Sequence, residues 1–353
     1  AIVKEVKSLL GSDWTRFTIE QLVDGLSHDD RRIRFEAQWE LARRRELDTL
    51  LAVCKDMEAG SIPRLHAIWG ADQIARQDSS ERETVVTAFR ALLGDPDNNL
   101  RAAAAKALGE REDTGAVQQL RKLLSDSSPR VQYFALMSLA KLKDKAAFAD
   151  VIGLTGAVNN ADPALRHACV MYLASTADAK TLESLAKHKS SFVRRMAVVA
   201  LRRQRAAELA TFLNDADELV ALEAARAIHD QPVPVAMSAL AGMIDDAKGS
   251  SELVRRILNA NYRLGTSEAA DKLGEYAERI SAPPEMRVEA LEMLAEWGNP
   301  DPRDRVLNDH RPLPKRDVSV AAKALAPQID SLMSAESSVR EKAIEVASGL
   351  GIK

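Results

Sequence analysis

The sequence of 353 residues contains few of the residues that cross-link small domains or carry redox chemistry. It has only two cysteines, Cys54 and Cys169, and neither belongs to a C-x-x-C pair, which excludes a disulfide framework and a dithiol or zinc motif of that kind. Aromatic residues make up 4%, and 16 glycines and 13 prolines are too few for a linker-rich or disordered chain. No apolar run approaches the roughly 18 residues of a membrane span.

The charge of the chain is nearly balanced, with 49 Lys and Arg against 52 Asp and Glu and a formal net charge of −3. This balance argues against non-specific nucleic-acid binding, which depends on an excess of positive charge. Apolar residues make up 46%, which is enough for a hydrophobic core. Because alanine and leucine supply most of that core, the composition favours helices packed on helices.

One pattern recurs along nearly the whole chain. Ile33-Arg34 is followed by a small residue, Ala37, three positions after the arginine and by Leu41 seven positions after it. Eight steps lead from Arg34 to Arg287, about 32 residues each, which is the length of a helical hairpin. Further copies are anchored at Arg101, Gln132, Arg166, Arg194, Arg255, Arg287 and Arg340, with weaker copies at Arg64 and Ala221.

Helix-start residues precede these anchors and fix the register of the repeat. A side chain able to cap a helix stands four residues before the anchor in seven copies: Asp30, Asp97, Ser128, Asp162, Ser190, Asp217 and Ser251. The anchoring arginines are expected to pair with such carboxylates of the neighbouring repeat. The pattern resembles HEAT repeats. We therefore predict an all-α fold, a right-handed α-α superhelix of about ten hairpins that forms a single solenoid over residues 1–353.

The repeat spacing fails once, between Arg287 and Arg340. The extra stretch, residues 298–317, contains four prolines that prevent a continuous helix, and we call it the strap. One interpretation is that the strap packs across the solenoid and covers its last groove. The other is that it docks another domain through its polar and basic side chains Arg303, Arg305, His310, Arg311, Lys315 and Arg316.

A second basic cluster lies within twelve positions near the middle of the chain. It is either a solvated group that compensates a helix dipole or a binding patch for an anion or acidic partner. Acidic residues between positions 208 and 223 interrupt the positive charge, so a continuous groove for DNA is not expected. The cluster consists of Arg194, Arg195, Arg202, Arg203 and Arg205.

The motifs of the common enzyme and metal sites do not occur in the sequence. The six histidines form neither an H-x-x-x-H pair nor an H-E-x-x-H set, and there is no phosphate-binding loop or G-x-S-x-G elbow. We therefore predict no catalytic residue, no metal site and no cofactor. His66 and Trp69 share one helix face, and they either pack between hairpins or contact a ligand or partner.

Two stretches are more specific than a generic repeat: Arg64-Leu65-His66-Ala67-Ile68-Trp69-Gly70, and residues 289–317 with their Glu296-Trp297 and Arg311-Pro312-Leu313-Pro314 segments. They resemble the HEAT-repeat region of the large planctomycete-type membrane-bound dehydrogenase family. In that family a β-propeller similar to quinoprotein sugar dehydrogenases precedes the repeats, and a c-type cytochrome domain follows them. This sequence contains neither a propeller nor a C-x-x-C-H haem motif.

The resemblance implies a non-catalytic scaffold within a larger, exported or periplasmic polypeptide, where it positions a dehydrogenase module and an electron-acceptor module. Two alternatives stay open. A HEAT-like bilin lyase would need an apolar cleft lined by His66, Trp69 or Tyr172, whereas a free-standing adaptor would bind peptides. The expected partners are other domains of the same polypeptide or another protein, with neither nucleic acid nor direct membrane insertion.

Overall fold

The computed structural model describes residues 2–159 and 161–352, and it is all-α as predicted. The chain divides into two compact units, Ala1–Ala177 and Asp178–Lys353. Within the described ranges, the only β-type pairing is an isolated bridge between Arg303 and His310. None of the helices in these ranges combines the length and apolar character needed to span a bilayer.

The first unit is built of two helix layers. Helices α3, α5, α7, α9 and α11 pack side by side as the first layer, and α4, α6, α8 and α10 pack against them as the second. The α-helices of this unit are α1 (Ile2–Leu10), α2 (Ile19–Gly25), α3 (Arg31–Arg43), α4 (Leu47–Lys55), α5 (Ser61–Gln77), α6 (Arg82–Leu92), α7 (Asn98–Glu110), α8 (Val117–Lys122), α9 (Pro129–Lys141), α10 (Phe148–Val158) and α11 (Pro163–Thr176).

The second unit repeats this arrangement. Its first layer consists of α13, α14, α16, α18 and α21, and a 3-10 helix (Ala207–Phe212) takes part in the second layer with α15, α17 and α19. The α-helices of this unit are α12 (Ala179–Ser184), α13 (Ser191–Gln204), α14 (Glu218–His229), α15 (Pro234–Ala241), α16 (Ser251–Leu264), α17 (Ser267–Glu278), α18 (Pro284–Ala295), α19 (Val318–Leu325), α20 (Ile329–Met333) and α21 (Ser337–Gly349).

The repeat register predicted from the sequence is confirmed. Each anchor lies on a first-layer helix, and the residue three positions after it is fully buried. A small residue at this position lets neighbouring helices approach closely, which explains why most copies have alanine there. These buried residues are Ala37, Ala67, Ala104, Ala135, Cys169, Ala197, Ala224, Leu258, Ala290 and Ala343. Cys54 and Cys169 are free, buried thiols.

Most of the predicted N-caps are confirmed. At α9, however, the Ser128 side chain makes no capping bond, and its own backbone N–H donates to Asp126. The prediction for Ser251 is wrong by one residue, because α16 begins there and Ser250 occupies the N-cap position. The confirmed caps, whose side chains accept backbone N–H groups of the first turn, are Asp30, Asp97, Asp162, Ser190 and Asp217.

Anchoring arginines form ion pairs between successive repeats. Arg287 pairs with Glu336 at the N-cap position of α21, as predicted, whereas the other pairs use carboxylates that are not caps. In three of these pairs the acceptor is an aspartate two residues before the N-cap of the next first-layer helix, so these pairs tie one repeat to the start of the following one. Arg101 and Asp126 are 2.8 Å apart and Arg194 and Asp215 are 2.6 Å apart, and Arg64 forms the equivalent pair with Asp95.

Turns between the two helices of a hairpin hold charged residues in the left-handed conformation, as at Glu112 (φ 52°) and Lys143 (φ 52°). A side chain in this region costs roughly 1–2 kcal/mol, because its Cβ approaches the following carbonyl oxygen. Glycine removes that clash but adds freedom to the unfolded chain. We expect Lys143→Gly to raise the free energy of unfolding by about 0.5–1 kcal/mol in a urea titration.

Lys122 provides the matched control for this substitution, since it is also exposed but has helical backbone angles (φ −61°, ψ −33°). Lys122→Gly should lower the free energy of unfolding by up to about 1 kcal/mol. Equal losses for the two variants would show that the left-handed turn at Lys143 stores no strain.

Candidate functional site

The strap connects the two helices of one hairpin, from α18 in the first layer to α19 in the second. Its fold is held by backbone hydrogen bonds, in which the Asp304 N–H donates to the Asp309 carbonyl (2.8 Å) and the Arg311 N–H donates to the Pro302 carbonyl (2.9 Å). The strap is therefore an ordered loop, although it contains no α-helix.

Asp304 fixes this loop to the end of α16. Its side chain is fully buried, and its Oδ2 lies 3.0 Å from Arg263 Nη1 and 3.1 Å from Arg311 Nη1. Its Oδ1 accepts the backbone N–H groups of Val306 (2.9 Å) and Leu307 (3.1 Å). One carboxylate thus shapes a turn of the strap and forms ion pairs with two guanidinium groups.

A buried polar cluster continues from Asp304 into α14. His229 is fully buried, with its Nδ1 2.9 Å from Asp230 Oδ1, its Nε2 3.0 Å from Asn259 Oδ1, and the same Nε2 3.8 Å from Asp304. Burial raises the pKa of Asp230, but hydrogen bonds from His229 and Arg256 outweigh it and hold that pKa at about 2. In the described part of the chain, no three His, Cys, Asp or Glu side chains converge in a way that could hold a metal ion.

Four of the six predicted partner-binding residues of the strap have side-chain contacts within the protein, including Arg303, whose Nη1 donates to the Asn308 carbonyl (2.8 Å). Arg305 contacts α18, Arg316 contacts α16, and Arg311 pairs with Asp304 within the strap, which agrees with the packed-strap interpretation. Arg303, His310 and Lys315 are exposed, so a docking role stays a prediction for these three. The internal partners are Glu292 and Glu296 for Arg305, Asp304 for Arg311, and the Tyr262 carbonyl oxygen for Arg316.

Four of the five arginines of the second cluster make contacts, each with a different neighbour. Arg203 is exposed, and Arg202 and Arg205 lie at the C-terminal end of α13, where positive charge is favourable. The contacts of the others are Asp215 for Arg194, the Phe192 ring at 5.5 Å for Arg195, Gln231 at 3.1 Å for Arg202, and the Pro232 carbonyl at 2.9 Å for Arg205.

His66 and Trp69 lie in contact on one face of α5, as the sequence predicted, but they differ in burial. His66 is buried, with its Nδ1 2.8 Å from Gln38 Oε1, and its Nε2 accepts a 3.2 Å hydrogen bond from Arg34. Burial and, secondarily, the charge of Arg34 lower the pKa of His66 to about 4, so the ring is neutral at physiological pH. Trp69 is 42% exposed. His66 therefore packs between helices, while Trp69 faces solvent.

Trp69 belongs to a row of rings that crosses from α5 to α3. The His66 and Trp69 centroids are 4.9 Å apart, those of Phe35 and His66 5.2 Å, and those of Phe35 and Trp39 5.6 Å. Trp39 is 49% exposed, and Ile62, two turns before Trp69 on the same face of α5, is 50% exposed. We call this surface, which consists of the half-buried Phe35 and the exposed Trp39, Ile62 and Trp69, the aromatic patch.

The contribution of α3 to this patch was not predicted from the sequence. The signal was present, because Trp39 and Trp69 each stand five residues after an anchor, at Arg34 and Arg64. Equivalent positions in adjacent repeats lie side by side in a solenoid. Comparing the repeats position by position would therefore have brought the two tryptophans together.

Comparisons with known proteins agree with this architecture. Residues 86–157 match a family model described as HEAT repeats. The chain is similar to Kap121p bound to RanGTP, with 13% identity over 94% of this chain and 41% of that one and a TM-score of 0.54. It is also similar to Kap121p bound to the extreme C-terminus of Cdc14p, with 12% identity over 95% of this chain and 42% of that one and a TM-score of 0.51.

The chain therefore spans less than half the length of Kap121p, and at these identities the likeness concerns the fold alone. No curated protein sequence matches it. The matched segment, the helix layers and the structural likeness together show a HEAT-repeat solenoid fold.

Proposed function

We propose that this chain is a non-catalytic scaffold that binds another protein through the aromatic patch on α3 and α5. The observation that supports the proposal is the exposure of two tryptophans at equivalent positions of adjacent helices, Trp39 and Trp69. Tryptophan is enriched among the residues that contribute most to protein–protein binding, because its burial removes a large apolar area from water. A cluster of exposed apolar side chains on a water-facing helix surface is typical of an interaction site.

The patch is also held in place before any partner arrives. Phe35 stacks on Trp39, and His66, fixed by its hydrogen bonds to Gln38 and Arg34, supports Trp69 from below. Fixed side chains lose little entropy on binding, which leaves more of the contact energy for affinity. Kap121p, whose fold is similar, occurs in complexes with RanGTP and with a terminal segment of Cdc14p. A binding role for the same architecture is consistent with those complexes.

The wider context follows from the sequence resemblance alone. On that resemblance, we propose that the chain is a segment of an exported or periplasmic polypeptide, in which it holds a dehydrogenase module and an electron-acceptor module in a fixed relative position. In that arrangement, the exposed strap residues Arg303, His310 and Lys315 provide a second docking surface.

The lyase alternative requires an enclosed cleft lined by His66, Trp69 or Tyr172. Tyr172 is fully buried and donates a 2.5 Å hydrogen bond to the Asp144 carbonyl, and His66 is packed between α3 and α5. Trp69 lies on the open surface. These positions favour a binding scaffold over an enzyme with an enclosed chromophore site.

Photo-crosslinking in the native host tests the scaffold proposal. We replace Trp39, Trp69 or, as a control, the exposed Lys122 on α8 with p-benzoylphenylalanine. If the aromatic patch is the binding surface, illumination should give at least about tenfold more protein adduct at positions 39 and 69 than at 122, since hot-spot residues lie at the centre of an interface. Equal yields at all three positions would contradict the proposal.

A further inference from the structure

Basic side chains lie beside the aromatic patch, near the C-terminal ends of four successive first-layer helices. Six cations share three carboxylates there, an excess of positive charge in a chain whose formal net charge is −3. We call this group the basic rim. Its cations are Arg43, Arg44, Arg76, Lys106, Arg111 and Lys141, and its carboxylates are Glu40, Asp72 and Glu110.

The part of the rim on α3 has one carboxylate for two guanidinium groups. Arg43 and Arg44 each approach Glu40 to 2.6 Å. The hydrogen bond from Arg43 is the main reason why the pKa of Glu40 lies below its usual value, so this carboxylate is ionised at neutral pH. Asp13 adds only a minor interaction with Arg43, so positive charge exceeds negative charge beside Trp39.

The part of the rim on α5, α7 and α9 is one continuous network. Asp72 lies 2.5 Å from Arg76 and 3.1 Å from Arg111. Glu110 lies 3.3 Å from Arg76, 2.6 Å from Lys106 and 3.9 Å from Lys141. Four cations thus share two carboxylates across three adjacent helices.

Four of the six cations are the solvent-facing members of these pairs, while Arg44 and Arg111 are 21% and 17% exposed. The side chains of Arg43, Arg76, Lys106 and Lys141 are between 48% and 60% exposed. The three carboxylates are between 7% and 25% exposed. An approaching molecule therefore meets positive charge, because the acidic partners lie beneath it.

The basic rim and the aromatic patch adjoin each other along the helix axes. Arg43 follows Trp39 by four residues on α3, and Arg76 follows Trp69 by seven on α5, so each pair shares a helix face. At a rise of 1.5 Å per residue, the separations along the axis are about 6 Å and about 10 Å. A single bound segment can contact both surfaces.

We propose that this combined surface binds an acidic peptide segment that carries at least one bulky apolar side chain. The inference rests on the proposed scaffold function and specifies its partner. The apolar side chain packs on the aromatic patch, and Asp or Glu residues of the peptide supply the carboxylates that the rim lacks. Four helices spaced about 9 Å apart span about 27 Å, which an extended segment of about eight residues covers.

A nucleic acid is the less suitable occupant. The carboxylates of Glu40, Asp72 and Glu110 interrupt the row of cations, whereas a phosphate backbone presents a charge at every step. A peptide can place its few carboxylates only where cations are available and its apolar residue on the patch.

Selection from a random library of 12-residue peptides displayed on phage, with the intact chain as bait, tests this proposal. Enriched peptides should carry net negative charge and a Trp, Phe or Leu residue. Their synthetic versions should bind about tenfold or more weakly to Trp69→Ala and to Lys141→Glu, and raising NaCl from 50 to 300 mM should weaken binding. Lys141 is chosen because its ion pair is long, at 3.9 Å, so its replacement preserves the fold.

Two control variants change residues outside the proposed surface, on the second helix layer or its turns. Lys122→Glu controls for the change of charge, and Met57→Ala controls for the loss of exposed apolar area. Both variants should bind the peptides as the wild type does. Enrichment of basic or uncharged peptides, or unchanged binding to Trp69→Ala, would overturn the acidic-peptide proposal and leave the scaffold proposal intact. Stronger competition by a 12-base single-stranded DNA would overturn it in favour of nucleic acid. Selection without enrichment overturns the partner assignment, and only the crosslinking at position 69 then decides the scaffold proposal.

Discussion

Asp304→Ala is expected to lower the free energy of unfolding of the second unit by about 3–5 kcal/mol, the usual cost of removing one partner from a buried ion pair. The carboxylate is fully buried between Arg263 and Arg311, and each of their side chains is only 15% exposed. Alanine would leave two guanidinium groups in a poorly hydrated site without a counter-ion. It would also leave the N–H groups of Val306 and Leu307 without their acceptor.

Urea unfolding followed by circular dichroism measures the global loss, and hydrogen–deuterium exchange of residues 302–311 measures the local one. Asp301→Ala is the matched control, since Asp301 is exposed on the same strap and accepts only a local bond from the Arg303 N–H (2.7 Å). We expect it to change the free energy of unfolding by less than about 0.5 kcal/mol. If Asp304→Ala behaves like Asp301→Ala, the strap is not anchored by its buried carboxylate.

The sequence predicts the features of this fold that depend on neighbours along the chain. Three of these features depend on residues within a single helix: the helix periodicity, the capping residue at Asp97 and the small residue at Ala104. The same kinds of residue recur at the same positions in most copies of the repeat. The fold class and the register of the first-layer helices could therefore be derived without coordinates. The one-residue error at Ser251 arose because two consecutive serines offer equivalent caps.

Contacts between distant parts of the chain could not be derived in this way. Arg263 and Asp304 are 41 residues apart, and no local pattern marks either of them as the partner of the other. The strap arginines have the composition of a binding surface, yet Arg305 and Arg311 are used to hold the strap. Which basic residues remain free depends on where the loop lies on α16 and α18.

The aromatic patch could be predicted from the sequence only in part. Its members repeat at equivalent positions, which the sequence shows, but whether a repeated tryptophan faces the core or solvent is set by the packing of the two helices. In α3 and α5 the buried stripe is filled by residues such as Ile33, Ala37 and Ala67, which leaves the tryptophans outside it.

Gly109→Ala is expected to lower the free energy of unfolding by about 3 kcal/mol, at the upper end of the usual cost of overpacking a core. Gly109 lies on α7 where that helix meets α9, and an added Cβ would stand 2.5 Å from Ser138 Cβ and 2.7 Å from Ser138 Cα. The Ser138 backbone cannot move away easily, because its hydroxyl donates a 2.8 Å hydrogen bond to the Ala105 carbonyl of α7. The two helices must therefore separate, which weakens the contact between consecutive repeats.

Gly153→Ala is the control that isolates this effect from helix propensity. Gly153 lies within α10 of the same unit, is exposed, and has no atom within 4 Å of the position of an added Cβ. Alanine there should raise the free energy of unfolding by about 0.5–1 kcal/mol, since glycine is a poor helix former. The midpoints of urea unfolding of the two variants should thus shift in opposite directions. Hydrogen exchange in α7 and α9 should become faster in Gly109→Ala alone. A stabilised Gly109→Ala would mean that the first-layer helices can tolerate wider spacing, and the small residues at their contacts would then need another explanation.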